Sequence, residues 1–163
     1  MADPNPTPPA IADDDVRRGV ELLYFGYSRL TRLADERLAA QGLGRAHQRV
    51  LYFVSRQPGL TVSELLKLLG ITKQSLSRVL SELTRRGLVE VRTCDDDRRQ
   101  RRLHLSAEGR VQEAALFNDL STRLRAAYAE AGTAALPGFW SVLASLVPAD
   151  ERDMVRVLQS KSG

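Results

Sequence analysis

The chain has 163 residues, 43% hydrophobic and 27% charged, which is typical of a single soluble globular domain. No apolar run approaches the roughly 18–20 residues of a membrane helix. The proline-rich start has no signal-peptide pattern, so we expect a cytoplasmic protein without membrane contact. One cysteine, Cys94, excludes an intrachain disulfide, and with only two histidines no zinc-site spacing exists.

The positive charge is concentrated in the middle of the chain. Residues 44–110 hold fourteen Lys/Arg against seven Asp/Glu, whereas the rest of the chain holds ten against thirteen. A basic centre between mildly acidic flanks is typical of a polyanion-binding unit. A solvated face rich in arginine would give the same composition, so the charge alone leaves both interpretations open.

The first part of the chain is predicted to form a disordered tail followed by two helices. Residues 1–12 are predicted to be disordered, because prolines remove hydrogen-bond donors and little apolar surface is available for burial. Apolar residues then recur at three- and four-residue steps, which predicts a long helix over about 13–40, ended by Gly42. A second helix is predicted over about 45–56 and is stopped by Pro58-Gly59.

Two short capped helices follow. Thr61-Val62-Ser63-Glu64 has the spacing of a capping box, so a helix is expected to begin at Thr61 and to end at Gly70. This helix is expected to bury Leu65, Leu66, Leu68 and Leu69. Thr72 can cap the next helix, over about 73–86. Two capped helices joined by so short a turn form a helix-turn-helix.

A charged hairpin and a helical C-terminal part complete the chain. Residues 88–92 and 101–105 alternate like strands, and the polar segment between them predicts a β-hairpin, or wing. Ser106 is expected to cap a long helix over about 107–131. Its predicted apolar stripe consists of Val111, Ala114, Ala115, Phe117, Leu120, Leu124 and Tyr128. Further helices are predicted over about 134–146 and 148–159, the last with Pro148 at its first position.

The second helix of the helix-turn-helix has the composition of a DNA-reading helix. Its apolar residues are spaced to face the core, and the opposite face holds hydrogen-bonding and basic side chains without an acid. Gln can pair with adenine, and Arg or Lys with guanine. The alternative is a winged-helix module used for protein–protein assembly without specific DNA binding. We expect DNA contacts from Thr61, Ser63, Thr72, Lys73, Gln74, Ser75, Ser77, Arg78 and Ser81.

The wing tip adds a second basic element. Four arginines occur within residues 98–102, and an arginine on a loop can enter a narrow minor groove. We expect Arg98, Arg99 and Arg101 to contact DNA and Asp97 to fix the direction of the wing arginines. Without the preceding helices, a solvated and charge-balanced turn would explain the segment equally well.

The wing and the residues after it resemble a family signature. Asp97-x-Arg99, followed by Leu103-x-Leu105-Ser106-x-x-Gly109, is similar to the D-x-R…L-x-L-T-x-x-G pattern of the MarR family, with Ser106 in place of threonine. The resemblance covers about residues 15–160. It implies a homodimer whose recognition helices occupy successive major grooves of a palindromic site. It further implies that Arg99 enters the flanking minor groove, oriented by Asp97, and that repression is the commoner mode of action.

The expected fold is mainly α with a small β-hairpin wing, a winged helix-turn-helix core flanked by long dimerisation helices. The first helix and the C-terminal helices carry more apolar surface than a winged core can cover, which also favours a dimer. The expected segments are a tail (1–12), a dimerisation helix (13–43), the DNA-binding core (44–106) and C-terminal dimerisation helices (107–163).

The sequence allows two interpretations for each of two regulatory features, an effector pocket and Cys94. Many members of the family release DNA on binding a small aromatic or anionic effector. An effector pocket is therefore expected near Tyr24, Tyr27, His47, Arg49 and Tyr52, although these residue types at helical spacing also fit a core. Cys94 at the wing base is either an incidental cysteine or a redox sensor. The family's oxidation sensors carry their cysteine near the start of the first helix, where this chain has none.

No enzyme is expected. The sequence lacks the G-x-S-x-G, Walker, H-E-x-x-H and G-x-G-x-x-G motifs. No cofactor and no metal are expected, and the expected partners are double-stranded DNA, a second copy of the chain and a small-molecule effector.

Overall fold

The computed structural model describes residues 11–93 and 101–160. Residues 1–10 of the predicted tail (1–12) lie outside this range. The fold is mainly α-helical with a small sheet, as the sequence predicts. The helices are α1 (Asp13–Ala39), α2 (Arg45–Arg56), α3 (Val62–Leu69), α4 (Lys73–Arg85), α5 (Ala107–Ala131), α6 (Leu136–Leu146) and α7 (Arg152–Ser160). The strands are β1 (Leu60–Thr61), β2 (Val89–Thr93) and β3 (Arg101–Leu105).

The sheet has one strand more than the sequence predicts. Its order is β1-β3-β2, with antiparallel pairing throughout. Leu60 of β1 lies opposite Leu103, and Gly59 donates its backbone N–H to the Leu103 carbonyl at 2.9 Å. A two-residue strand is too short to show an alternating pattern, so sequence periodicity could not reveal it.

Three helices begin at the capping residues that the sequence indicates. Thr61 accepts a hydrogen bond from the Glu64 backbone N–H, and Glu64 Oε2 accepts one from the Thr61 N–H, which completes the capping box. Thr72 caps α4, and Ser106 caps α5 by accepting from the Gly109 N–H at 2.9 Å. These local bonds fix where each helix begins.

One buried cluster joins α1 and α5 to the helix-turn-helix and the sheet, so it crosses the predicted boundaries on either side of the DNA-binding core. In α3, Leu65 and Leu69 are buried, whereas Leu66 and Leu68, also expected inside, are half-buried. In α5 the fully buried side chain is Leu116, which the predicted apolar stripe did not include. The buried apolar residues are Ala34, Leu38, Leu43, Val50, Leu51, Val54, Leu60, Leu65, Leu69, Leu76, Val79, Leu80, Leu83, Val89, Leu103, Leu105 and Leu116.

The last helix begins later than predicted. The Pro148 carbonyl accepts hydrogen bonds from the backbone N–H groups of Glu151 and Arg152, at 3.0 and 3.2 Å. This turn occupies the residues expected in the first helical turn, so α7 begins at Arg152. Neither α6 nor α7 contains a buried residue within the single chain. Across the described ranges, no helix has both the length and the apolar character of a membrane span.

Candidate nucleic-acid interface

The turn between α3 and α4 presents the first turn of α4 to solvent. Gly70 ends α3 in the left-handed region, at φ 58°, a conformation that glycine adopts without strain. Thr72 then caps α4 by accepting from the Ser75 N–H at 3.1 Å. Leu76 and Leu83, which are fully buried, fix the rotation of α4 about its axis. The predicted inward face of the helix is therefore confirmed.

The opposite face of α4 is free to bind a ligand. Within the described ranges, the side chains of Lys73, Gln74, Ser77, Arg78 and Ser81 have no hydrogen bond or ion pair with another residue. All five residues are exposed. Exposed donors without internal partners can bond to phosphates or base edges without first breaking a protein contact.

The electrostatics of α4 favour an anion at its N-terminal half. The first turn contains no acid, and the positive end of the helix dipole lies there. The one acidic side chain of the helix, Glu82, binds Arg85 at 2.7 Å and Arg86 at 2.6 Å near the other end. Hydrogen bonds from these two arginines lower the pKa of Glu82, so its charge is held and neutralised away from the exposed face.

The remaining predicted contacts on α3 and at the cap differ in availability. Ser63 is exposed in the first turn of α3. The Thr61 hydroxyl donates to Glu64 Oε2 at 2.8 Å, and the Thr72 hydroxyl donates to Ser75 Oγ at 2.9 Å. Both threonines therefore use their hydroxyl groups to cap helices, while Ser75 is exposed and keeps its own hydroxyl proton for a further bond.

The wing places one predicted contact at the edge of the described structure. In the β2–β3 ladder Thr93 lies opposite Arg101, which is exposed. Arg92, one position further from the tip, binds Glu90 at 2.8 Å, and Arg102 donates to the Gly59 carbonyl at 3.2 Å. Arg98, Arg99, Asp97 and Cys94 lie outside the described residues.

The residues expected to form an effector pocket occupy several different surroundings. Tyr27 lies under the guanidinium of Arg45, at 5.6 Å, and Tyr52 lies 6.3 Å from the ring of Phe117 on α5. His47 Nδ1 accepts a hydrogen bond from the Gly44 N–H at the start of α2, and burial lowers the pKa of this histidine.

Tyr24 is exposed and Arg49 is half-buried on α2. A hydrophobic groove of about 710 Å³ between α1, α5 and α6 includes Tyr27 but none of the other four predicted pocket residues. The part of the chain that the structure describes also contains no group of three His, Cys, Asp or Glu side chains arranged for a metal ion.

Sequence reasoning missed one arginine near the interface. Arg86 Nη1 donates to the backbone carbonyl of Gln41 at 2.7 Å, which joins the end of α4 to the turn after α1. The two residues are 45 positions apart, so no local pattern indicates the contact. The basic pair Arg85-Arg86 was the one available signal, and it does not distinguish the two residues.

Comparisons with known proteins agree with this geometry. The sequence model of the MarR family matches residues 41–100. Over 137 residues the chain is 44% identical to the HTH-type transcriptional regulator PetP of Rhodobacter capsulatus, covering 84% of this chain and 82% of PetP.

Solved structures give the same result. The fold is similar to that of a MarR family transcription regulator, with a TM-score of 0.70, 23% identity and coverage of 92% of this chain and 95% of that one. It is also similar to the transcriptional repressor CouR bound to a 23-mer DNA duplex, with a TM-score of 0.62, 26% identity and coverage of 76% and 88%. These likenesses confirm the winged helix-turn-helix fold, and the match to the family model together with the similarity to PetP confirms the family resemblance. The chain belongs to the MarR family, whose members regulate transcription and are not enzymes.

Proposed function

We propose that this protein binds double-stranded DNA sequence-specifically as a homodimer, and that it represses transcription by occupying a palindromic operator. The observation that carries the proposal is the exposed face of α4, whose donors have no partner in the described chain and whose first turn has no acid. A helix of this kind fits a major groove, where the N-terminal residues reach base edges.

Different side chains on this face suit different contacts. The Gln74 amide can donate to and accept from an adenine, and Arg78 can bind a guanine through two hydrogen bonds. Lys73, at the first position of α4, suits a phosphate, because an ammonium group binds as a point charge without base discrimination. Ser75, Ser77 and Ser81 are exposed and supply short hydroxyl groups along the same helix. Arg98, Arg99 and Arg101 of the wing, with Asp97 orienting them, are proposed for the flanking minor groove.

Exposed apolar side chains support the dimer. Among the described residues, the large exposed hydrophobic side chains all lie on α1, α5, α6 and α7, except Ile11 and Val91. Leu22 is 65% exposed and Trp140 is 52% exposed. A surface this apolar is typical of a protein–protein interface. Because a two-fold dimer presents two α4 helices at a fixed separation, its operator would have half-sites about one helical turn, roughly 10 bp, apart.

Relief of repression by a small aromatic or anionic effector belongs to the same proposal. The family resemblance alone supports this part. In the single chain, the expected pocket residues lie in separate surroundings. Release of a labelled operator duplex on addition of candidate aromatic acids tests this part independently of DNA recognition.

The deciding experiment is selection of bound duplexes from a random DNA pool, followed by titration of the recovered site at several salt concentrations. We expect an inverted repeat and an affinity that falls with salt at a log–log slope of about −0.9 per phosphate contact. An unenriched pool together with salt-insensitive association would instead indicate a winged helix used for protein assembly.

A further inference from the structure

We propose that Arg86 is a positioning residue that fixes the tilt of the recognition helix α4 relative to α1 and α5, and so sets the operator spacing that the dimer accepts. This inference rests on the proposed function. Arg86 does not lie on the exposed reading face of α4. It lies at the opposite end of the helix from Lys73 and Gln74, where two contacts in series, Arg86 to Gln41 and Gln41 to Gln112, link α4 to α1 and α5.

The first contact joins α4 to the turn after α1. Arg86 Nη1 donates to the Gln41 carbonyl at 2.7 Å, and Arg86 Nε donates to Glu82 Oε1 at 2.6 Å. The guanidinium, at the C-cap of α4, therefore bridges a carboxylate on α4 and a backbone oxygen on another element. A planar guanidinium with several donors suits this bridge, whereas a lysine ammonium is a point charge with no fixed plane.

The second contact extends the link to α5. The Gln41 side chain accepts a hydrogen bond at Oε1 from Gln112 Nε2, at 3.1 Å. The turn itself is tight, because Gln41 donates its N–H to the Leu38 carbonyl and Gly42 donates to that of Ala39. One short turn therefore receives a hydrogen bond from α4 on its backbone and another from α5 on its side chain.

The α1–α5 pair that receives the link is itself tied together. Arg37 Nε and Nη2 donate to the two carboxylate oxygens of Asp119, at 2.7 and 3.1 Å. This pair of parallel bonds holds the direction of α1 relative to α5. Movement of the α1–α2 turn is therefore transmitted to the helices that we propose form the dimer.

Because Arg86 lies at one end of α4, a small change in tilt at that end moves the reading residues at the other end much further. With 13 residues, α4 is about 20 Å long at about 1.5 Å per residue. A tilt of about 5° at its C-terminal end would displace its first turn by roughly 1.7 Å over that length. Productive contacts tolerate a misplacement of only about 0.5 Å. In a dimer the error occurs twice and changes the distance between the two reading helices, so operator spacing is the most sensitive measure.

The test measures dissociation constants for the full-length protein on the selected inverted repeat and on duplexes with one base pair more or fewer between half-sites. For the wild type we expect the altered spacings to weaken binding about tenfold or more. A single mismatched base pair in an operator weakens binding by about the same factor. For Arg86→Ala we expect weaker binding at the preferred spacing and a difference between spacings of only about threefold.

Arg85→Ala is the matched control. Arg85 binds the same Glu82 carboxylate, but the described hydrogen bond to the Gln41 carbonyl comes from Arg86, so loss of Arg85 should leave the spacing preference unchanged. Arg86→Lys should restore only part of the preference. If Arg86→Ala fails to fold, Gln112→Ala is the second variant, because it removes the hydrogen bond between α5 and Gln41. It should likewise reduce the dependence of affinity on half-site spacing.

The outcomes separate the two proposals. A folded Arg86→Ala protein that keeps the wild-type spacing profile, with or without a uniform loss of affinity, overturns the positioning role alone. A wild-type protein that binds no DNA overturns the proposed function and the positioning role with it. A wild-type protein that binds its selected repeat equally at all spacings overturns the positioning role and the fixed separation of the two α4 helices, but not DNA recognition itself.

Discussion

Gly109 on α5 lies directly against the backbone of Leu88, at the junction between the end of the helix-turn-helix and the sheet. A Cβ at position 109 would stand 2.9 Å from the Leu88 carbonyl carbon and closer still to its oxygen. Ser106 secures the approach, because its hydroxyl accepts from the Gly109 N–H while its own backbone N–H donates to the Leu88 carbonyl. The final glycine of the L-x-L-S-x-x-G sequence is therefore required by close packing.

The first prediction follows from this contact. Gly109→Ala should destabilise the fold by about 1–3 kcal/mol, because backbone must move to admit the methyl group. The measurement is the urea midpoint of unfolding. Gly19→Ala in α1, where nothing lies within 4 Å, should instead stabilise the protein by up to about 1 kcal/mol through helix propensity. Equal effects at both positions would contradict the packing argument.

A second prediction concerns the cap of the recognition helix. Thr72→Ala should lower the free energy of unfolding by about 1 kcal/mol, because the Ser75 N–H loses its acceptor. Thr72→Ser, which keeps the hydroxyl, should recover most of the loss. Thermal unfolding of the two variants beside the wild type makes the comparison. An alanine variant as stable as the wild type would show that solvent caps the helix equally well.

The start of α4 was predictable because its signals lie within a few residues of one another. Thr61 and Glu64, and likewise Thr72 and Ser75, are three residues apart, so the sequence alone locates both caps. The fold class follows from the order of such local signals. The same holds for the exposed face of α4, which is determined once its apolar spacing is known.

The parts that sequence reasoning missed depend on distant residues. Strand β1 exists because Leu60 pairs with Leu103, and the hydrogen bond between Arg86 and Gln41 spans 45 positions. Leu116 was missed for a different reason. Helix α5 packs against both α1 and α2 and carries further apolar side chains that remain exposed, so its apolar residues do not define a single stripe. Local periodicity contains none of this information.

The third prediction tests base readout. Gln74→Ala should relax base preference at one position in each half-site, at a cost of about 1–3 kcal/mol on the preferred sequence. Lys73→Ala should weaken binding to all sequences alike and reduce the magnitude of the salt slope by about 0.9. Repeating the random-pool selection with each variant distinguishes the roles. An unchanged sequence preference for Gln74→Ala would assign base readout to other residues of α4.

The fourth prediction tests the dimer surface. Leu22 lines the groove between α1, α5 and α6, and replacing it with aspartate would bury a charge in the proposed interface. Leu22→Asp should weaken dimerisation by roughly 2 kcal/mol or more, as judged by sedimentation over a range of concentrations. Val91→Asp changes an exposed apolar residue of the wing, 43% exposed, and should leave the association state unchanged. A monomeric wild type would refute the dimer outright.

The last prediction concerns Glu113, which faces α2 from α5. Its carboxylate accepts a hydrogen bond from Ser55 Oγ at 3.2 Å, yet burial raises its pKa, against the opposing effects of that bond and of Arg56. A raised pKa means that the folded protein binds this proton more tightly than the unfolded chain. Protonated Glu113 therefore contributes stability that is fully present below the unfolded pKa of about 4.3 and is lost as the pH rises through the folded pKa.

Glu113→Gln removes the charge and keeps an acceptor for Ser55. It should therefore raise the urea midpoint at pH 7 and change it little below about pH 4, where the wild-type carboxyl is already protonated. Ser55→Ala should act in the opposite direction at pH 7, because the ionised carboxylate loses its hydroxyl donor. A Glu113→Gln protein less stable than the wild type at pH 7 would show that the ionised carboxylate stabilises the contact between α2 and α5.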